Sequence, residues 1–282
     1  MIQREFPGYS DPVDISIDSW ASGSIAVSGE LTDTVTVTVE RSHRRGADDR
    51  IDDVEVAFED GQLYIRGPRG LSFRPRNGLD LTIKVPAGSS CAAKTASADL
   101  SCVGVMSALS MNSASGDLTA ASVTGDVTVR SASGDVLLDR VDGDLTLHTA
   151  SGDTRVRSVG GAVRINSASG DVAIGHCAGS VTARTASGDV RLDAVASGVV
   201  ELNSATGDMQ VAVMPGLGVY LELSSLSGNV RSHLDEVDGP DGDADAAAVE
   251  IRVRTMSGNI RITKASTSRP NPASLQPANS GQ

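Results

Sequence analysis

One pentapeptide recurs along the middle of the chain. SASGD stands at 113–117, 131–135 and 167–171, TASGD at 149–153 and 185–189, and SATGD at 204–208. The glycines Gly116, Gly134, Gly152, Gly170 and Gly188 are 18 residues apart, and Gly207 follows at 19. A weaker turn with Gly125, Gly143, Gly161 and Gly179 falls halfway between, so the unit is nine residues used in pairs. A fixed short period of this kind marks a stacked, quasi-one-dimensional fold.

Counting from each Gly as position 0, position 2 is Leu118, Val127, Val136, Leu145, Thr154 and Val163, and position 4 is Ala120, Val129, Leu138, Leu147, Val156 and Ile165. Positions 3 and 5 are mostly polar, as in Thr128/Arg130, Thr146/His148, Arg155/Arg157 and Arg164/Asn166. Alternation with β-branched enrichment describes a strand with one buried face. Nothing in 100–210 is long enough for a crossover helix, so equivalent strands must stack in parallel, one coil about 4.8 Å above the last. The fold expected is an all-β parallel solenoid with two short strands per 18-residue coil. Position 7 is Ala at the SASGD corner (Ala114, Ala132, Ala150, Ala168, Ala186) and Val or Cys at the other (Val123, Val141, Val159, Cys177, Val195). This alternation predicts a thin core with one narrow and one wider edge.

Along the chain, residues 1–12 read as a lead-in, with Phe6 and Tyr9 tucked against the first coil. Residues 13–88 read as irregular N-terminal coils and a cap, with a tight corner at Glu59-Asp60-Gly61. The regular solenoid covers 89–264. An insertion at 232–249 holds six acids and no base from Asp235 to Asp245 and is expected to be a solvated loop. Residues 265–282 form a Pro/Ser/Asn tail expected to be disordered.

Thirty-six acids against 24 bases give a formal charge of −12. That is the wrong sign for a phosphate-binding surface, and aromatics at 2% leave no stacking platforms, so nucleic acid is not an expected partner. Three cysteines (Cys91, Cys102, Cys177) are too few and odd in number for a disulfide framework; they read as small buried hydrophobes. No apolar run reaches transmembrane length, and MIQREFPGYSDPVDIS has no signal-peptide core. The chain is therefore expected to stay in the cytoplasm and to have no membrane span.

Three features taken together resemble a known bacterial family: VPAG at 85–88, the run of T/S-A-S-G-D-V corners, and RTMSGNIRITKA at 254–265. They look like the putative-adhesin family of beta-strand-repeat proteins, domains of unknown function, over roughly residues 13–265. The resemblance implies a right-handed parallel β-solenoid with no established enzyme activity and no agreed catalytic residues. Many members are exported or membrane-tethered, whereas neither a signal peptide nor an anchor is expected here.

The site most suggested by the repeat is its column of carboxylates, Asp117, Asp135, Asp153, Asp171, Asp189 and Asp208, continued by Asn229 and Asn259. Stacked carboxylates repel, so something must offset them. Calcium is one reading, since nonapeptide solenoids roll up around it. Turn bonding by the side chains to backbone N–H groups is the other, and it is favoured because Asn serves that role as well as Asp. An EF-hand reading of Asp241, Asp243 and Asp245 fails on spacing, with Ala246 and Arg252 where Gly and Glu are needed. Arg155, Arg157 and Arg164 form a candidate anion-binding patch. The four histidines (His43, His148, His176, His233) have no nucleophile or acid implied by spacing, and the sheet faces show no paired carboxylates for sugar cleavage. No cofactor is expected. The function expected is a non-catalytic interaction or scaffold protein with an unknown protein or glycan partner and free solenoid ends able to self-associate. The alternatives are a polysaccharide-binding or polysaccharide-active β-helix and a calcium-stabilised solenoid.

Overall fold

The computed structural model describes residues 1–42, 49–68, 78–234 and 249–265. The 3-10 turn Asp49–Asp53 is the only helical segment among them, and none is long and apolar enough to cross a membrane. The predicted acidic loop (235–245), most of the tail (266–282) and His43 lie outside the described residues.

The N-terminal region begins with β1 (Ile2–Pro7), β2 (Asp14–Glu30) and β3 (Thr34–Arg41), then β4 (Glu55–Glu59), β5 (Gln62–Arg66), β6 (Leu79–Pro86) and the long β7 (Ser89–Ser115). β2 is the first full coil. Its two halves lie parallel to β7 on one side, and parallel to β5 and β6 on the other. Outside these the direction reverses: β3 runs antiparallel to β6, β1 to β3 and β4 to β5. The expected lead-in is thus a paired strand, and antiparallel strands cover the open edge. Alternation alone looks the same in both pairings, which is why the sequence reading missed the reversal. The predicted corner is a two-residue hairpin turn with Asp60 (φ 48°) and Gly61 (φ 76°) both left-handed. Phe6 and Tyr9 pack on Phe58 of that hairpin, each with ring centroids 5.0 Å away. Trp20 is buried and donates its indole N–H to the Leu79 carbonyl at 3.1 Å.

The regular section follows as β8 (Leu118–Val123), β9 (Val127–Ser133), β10 (Val136–Val141), β11 (Leu145–Ser151), β12 (Thr154–Val159), β13 (Val163–Ser169), β14 (Val172–Cys177), β15 (Val181–Ser187), β16 (Val190–Val195) and β17 (Gly198–Thr206). Even-numbered strands stack in parallel as one column and odd-numbered strands as the other. Positions 2 and 4 point inward: Val136 and Ile165 are 4% and 2% exposed. Most of the ladder is branched aliphatic, and each side chain fully buried this way stabilises by about 1.5–3 kcal/mol.

The two kinds of strand end differently. In the even strands the in-out alternation breaks at Asp139 and its equivalents while the 18-residue register is kept, so Val123, Val141, Val159, Cys177 and Val195 turn inward. In the odd strands the alternation continues, and Ala114, Ala132, Ala150, Ala168 and Ala186 stay outward and exposed. The alanines therefore do not form the narrow core edge that the sequence suggests; they lie on the surface.

The last coils depart from chain order. After β17 come β18 (Met209–Val213), β19 (Val219–Ser227), β20 (Val230–Ser232), β21 (Val249–Ser257) and β22 (Ile260–Lys264). β21 pairs with β17 on one side and β19 on the other, and β22 lies between β18 and β20. The later coil is inserted beneath the earlier one, leaving β19 and β20 as the outer edge with Val219, Leu221 and Leu223 only half-buried.

Candidate functional site

The structure gives the repeated corner residues framework tasks. Gly152 has φ +121°, and a Cβ there would stand 2.1 Å from the Gly134 carbonyl oxygen. Gly134, Gly170, Gly188 and Gly207 repeat this close approach, and Gly116 stands over Ala98. Only glycine lets adjacent coils come this near.

The aspartates form a hydrogen-bonded ladder. Each Oδ1 accepts the backbone N–H of the next corner residue: Asp117 from Asp135 (2.8 Å), Asp135 from Asp153 (2.8 Å), Asp153 from Asp171 (3.0 Å), Asp171 from Asp189 (2.9 Å) and Asp189 from Asp208 (2.7 Å). Asp208 accepts from Asn259 (2.7 Å), and Asn259 in turn from Asn229 (3.0 Å), following the inserted coil order. The Asn259 backbone and side-chain N–H groups hold the Asp208 carboxyl below its usual range. Asp126 and Asp144 do the same at the other corner, toward Asp144 and Ala162. Among the described residues no three His, Cys, Asp or Glu side chains come together so as to hold a metal ion.

Arg155, Arg157 and Arg164 do not form one patch. Arg155 and Arg157 project from β12 and Arg164 from β13, which belong to different strand columns. Each faces its own carboxylate: Asp153 at 3.1 Å, Asp139 at 2.7 Å and Asp144 at 3.5 Å. The histidines lie apart, with His148 on β11, His176 on β14 and His233 after β20. Burial pushes the Cys177 thiol up to about 12, and Cys91 is raised mainly by its contact with Cys102.

A surface missed by the sequence reading lies along the SASGD corner. The Ser or Thr at position 6 turns its hydroxyl back onto its own strand: Ser131 donates to the Ser133 carbonyl at 2.8 Å, Thr149 to Ser151 at 2.8 Å, Ser167 to Ser169 at 2.9 Å and Thr185 to Ser187 at 3.0 Å. Along this corner the stacked coils leave an open trough of about 1020 Å³.

Three files line the trough. One wall is position 5: Lys94, Asn112, Arg130, His148, Asn166 and Arg184, adjacent in register from Asn112 onward. The hydroxyl file follows, and the outward alanines form the third. Lys94 to Arg184 is five coil steps, about 24 Å at the ~4.8 Å strand spacing. No carboxylate lines the trough, although the chain carries a net charge of −12. Among the described residues Lys94 and Arg130 have no carboxylate partner, while Arg184 reaches Glu201 only at 4.0 Å. The file continues through Asn203 to Arg254, where Glu222 closes it by pairing with Arg254 at 2.5 Å. The signal was present in the sequence: every residue at this position from 94 to 184 carries an N–H donor, 18 apart.

The Toastrack DUF4097 family matches residues 13–263. No curated protein matches the chain. Among solved structures it is similar to a "putative adhesin" from Bacteroides fragilis, at 16% identity over 93% of this chain and 96% of that one, with a TM-score of 0.45. A "putative adhesin" from Parabacteroides distasonis is similar at 12% identity over 92% and 96%, TM-score 0.43. A "putative lipid binding protein" from the same species is similar at 16% identity over 93% and 96%, TM-score 0.42.

Proposed function

The chain belongs to the Toastrack DUF4097 family, and from that premise we propose that it is a non-catalytic interaction domain, a stiff scaffold that meets its partner along the corner trough. One observation carries this reading. The repeated Asp side chains are engaged in holding coil to coil and the Ser/Thr hydroxyls are bonded within their own strands, whereas the N–H donors of the trough wall at Lys94 and Arg130 have no carboxylate partner among the described residues. Sugar cleavage would need two carboxylates flanking a bond, and the trough lining contains none. The backbone groups of its strands are engaged in the parallel ladders, so recognition there falls to side chains.

The test is to fill the trough. Ala150 and Ala168 are exposed, so Ala150→Trp with Ala168→Trp should leave thermal unfolding unchanged. Retention of labelled protein on bacterial envelope material is expected for the wild type and lost in the double variant. Equal retention of both proteins, or retention of neither, would overturn the proposal.

A further inference from the structure

The chemistry of the trough narrows the partner class, on the reading just given that the trough is the working surface. We propose that it takes an acidic polysaccharide lying along the solenoid axis. Carboxylates of the polymer meet Lys94, Arg130 and Arg184, and its hydroxyls meet Asn112, His148 and Asn166 between them.

Charge gives the sign of the ligand. A cation-bearing furrow without carboxylates, on a molecule of net charge −12, is where an anion is attracted and from which the rest of the surface repels it. Spacing gives its charge density. Lys94 and Arg130 are two coils apart, about 10 Å, and Arg130 and Arg184 three coils, about 14 Å, at the strand spacing. An extended acidic peptide carries a residue every ~3.3 Å and a nucleic acid strand a phosphate every ~3.4 Å, far denser than this row. A polymer whose charges are separated by neutral, hydroxyl-bearing units matches it. The intervening amides offer both a donor and an acceptor, as vicinal hydroxyls require.

The remaining two files fit the same ligand. Ser131, Thr149, Ser167 and Thr185 give their hydroxyl hydrogens to their own strands, so their oxygens remain as acceptors for sugar O–H groups. The alanine methyls supply an apolar strip for the C–H face of a sugar ring. Peptide binding by strand addition needs a free sheet edge, and the trough runs across paired strands instead. Nucleic acid would need aromatic platforms, and no aromatic lines the trough.

Isothermal titration at low ionic strength, with oligomers of hyaluronate (a carboxylate on every second sugar), dextran and poly-glutamate as probes, tests this. Binding of hyaluronate is expected, weakening with added salt, with dextran and poly-glutamate bound far less. Arg130→Gln with Arg184→Gln should weaken it by about ten-fold, the sum of two exposed charges. Arg155→Gln with Arg157→Gln, outside the trough, should leave it unchanged. All four side chains are exposed, and unchanged melting verifies the fold. Equal binding of poly-glutamate or dextran, no binding of hyaluronate, or indifference to the Arg130/Arg184 pair would overturn the proposal. If those results came while Ala150→Trp/Ala168→Trp still abolished envelope retention, the trough would stand as the working surface with a different ligand.

Discussion

Replacing Asp171 by alanine and, separately, by asparagine distinguishes two things a column of carboxylates can do. Its Oδ1 accepts the Asp189 N–H at 2.9 Å, while its own N–H is held by Asp153 at 3.0 Å. Alanine removes the acceptor at an exposed corner where water can reach the freed N–H; a bond to a charged acceptor is worth about 1.5–3 kcal/mol, and the relief of like-charge repulsion that alanine shares with asparagine brings the loss down to about 1 to 1.5 kcal/mol. Asparagine keeps an acceptor oxygen in place, as Asn259 does toward Asn229 at 3.0 Å. It also takes one charge out of a file whose neighbours stand about 4.8 Å away, where each like pair repels by about 0.9 kcal/mol in water before salt screening. That relief, reduced by salt, offsets the weaker neutral hydrogen bond, and asparagine should fall within about 0.5 kcal/mol of wild type. Thermal unfolding followed by circular dichroism should show a drop of about 2–4 °C for alanine and little change for asparagine. Neither should respond to EDTA or to added calcium. An asparagine variant as damaged as the alanine one, or a calcium-dependent melting point, would show that charge is required and refute the ladder argument.

Three other outcomes follow from the same geometry. Gly152→Ala places a Cβ 2.1 Å from the Gly134 oxygen at φ +121° and should cost about 3 kcal/mol or more in denaturant unfolding; a loss below about 1 kcal/mol would mean the coils slide apart freely. Substituting Ala-Ser for residues 214–248 should yield a cooperatively folding solenoid, because β21 and β22 already sit on β17 and β18, and an unfolded product would contradict that order. The Asp208 carboxyl is held low in the folded state by Asn259, so the stability it adds is present above the ordinary carboxylate range and lost as pH falls through its lowered value. Asp208→Asn should therefore flatten the acid limb of a stability–pH curve, and an unchanged limb would count against the linkage.

Much of this fold is legible in the sequence because one nine-residue rule sets both direction and burial. The side chains of Val136, Leu145 and Ile165 enter the core where simple alternation puts them. Alternation stops being a guide where the backbone changes phase. Ala132 and Val141 share position 7, yet only in the strand of Val141 does the alternation break, so one faces solvent and the other the core. The order of the last coils was hidden for another reason: SLSGNV at 225–230 and TMSGNI at 255–260 carry nearly the same signature, and either could rest on the corner at Gly207. The column Lys94–Asn112–Arg130–His148–Asn166–Arg184 was readable, but its concavity was not, since that depends on how the stacked corners lie in space and not on the order of residues.

The inserted coil has a consequence for how the chain is made. Up to Val213 each turn can settle on one already synthesised, in the order the ribosome delivers them. Residues 219–232 cannot, because the surface they rest on is residues 249–264, which emerge afterwards. If 219–232 dock early on β17 and β18 they occupy a berth meant for their successor and must leave it again. The closing step of biogenesis would then be an exchange of tenants, slower than simple winding and sensitive to anything that holds the earlier occupant in place.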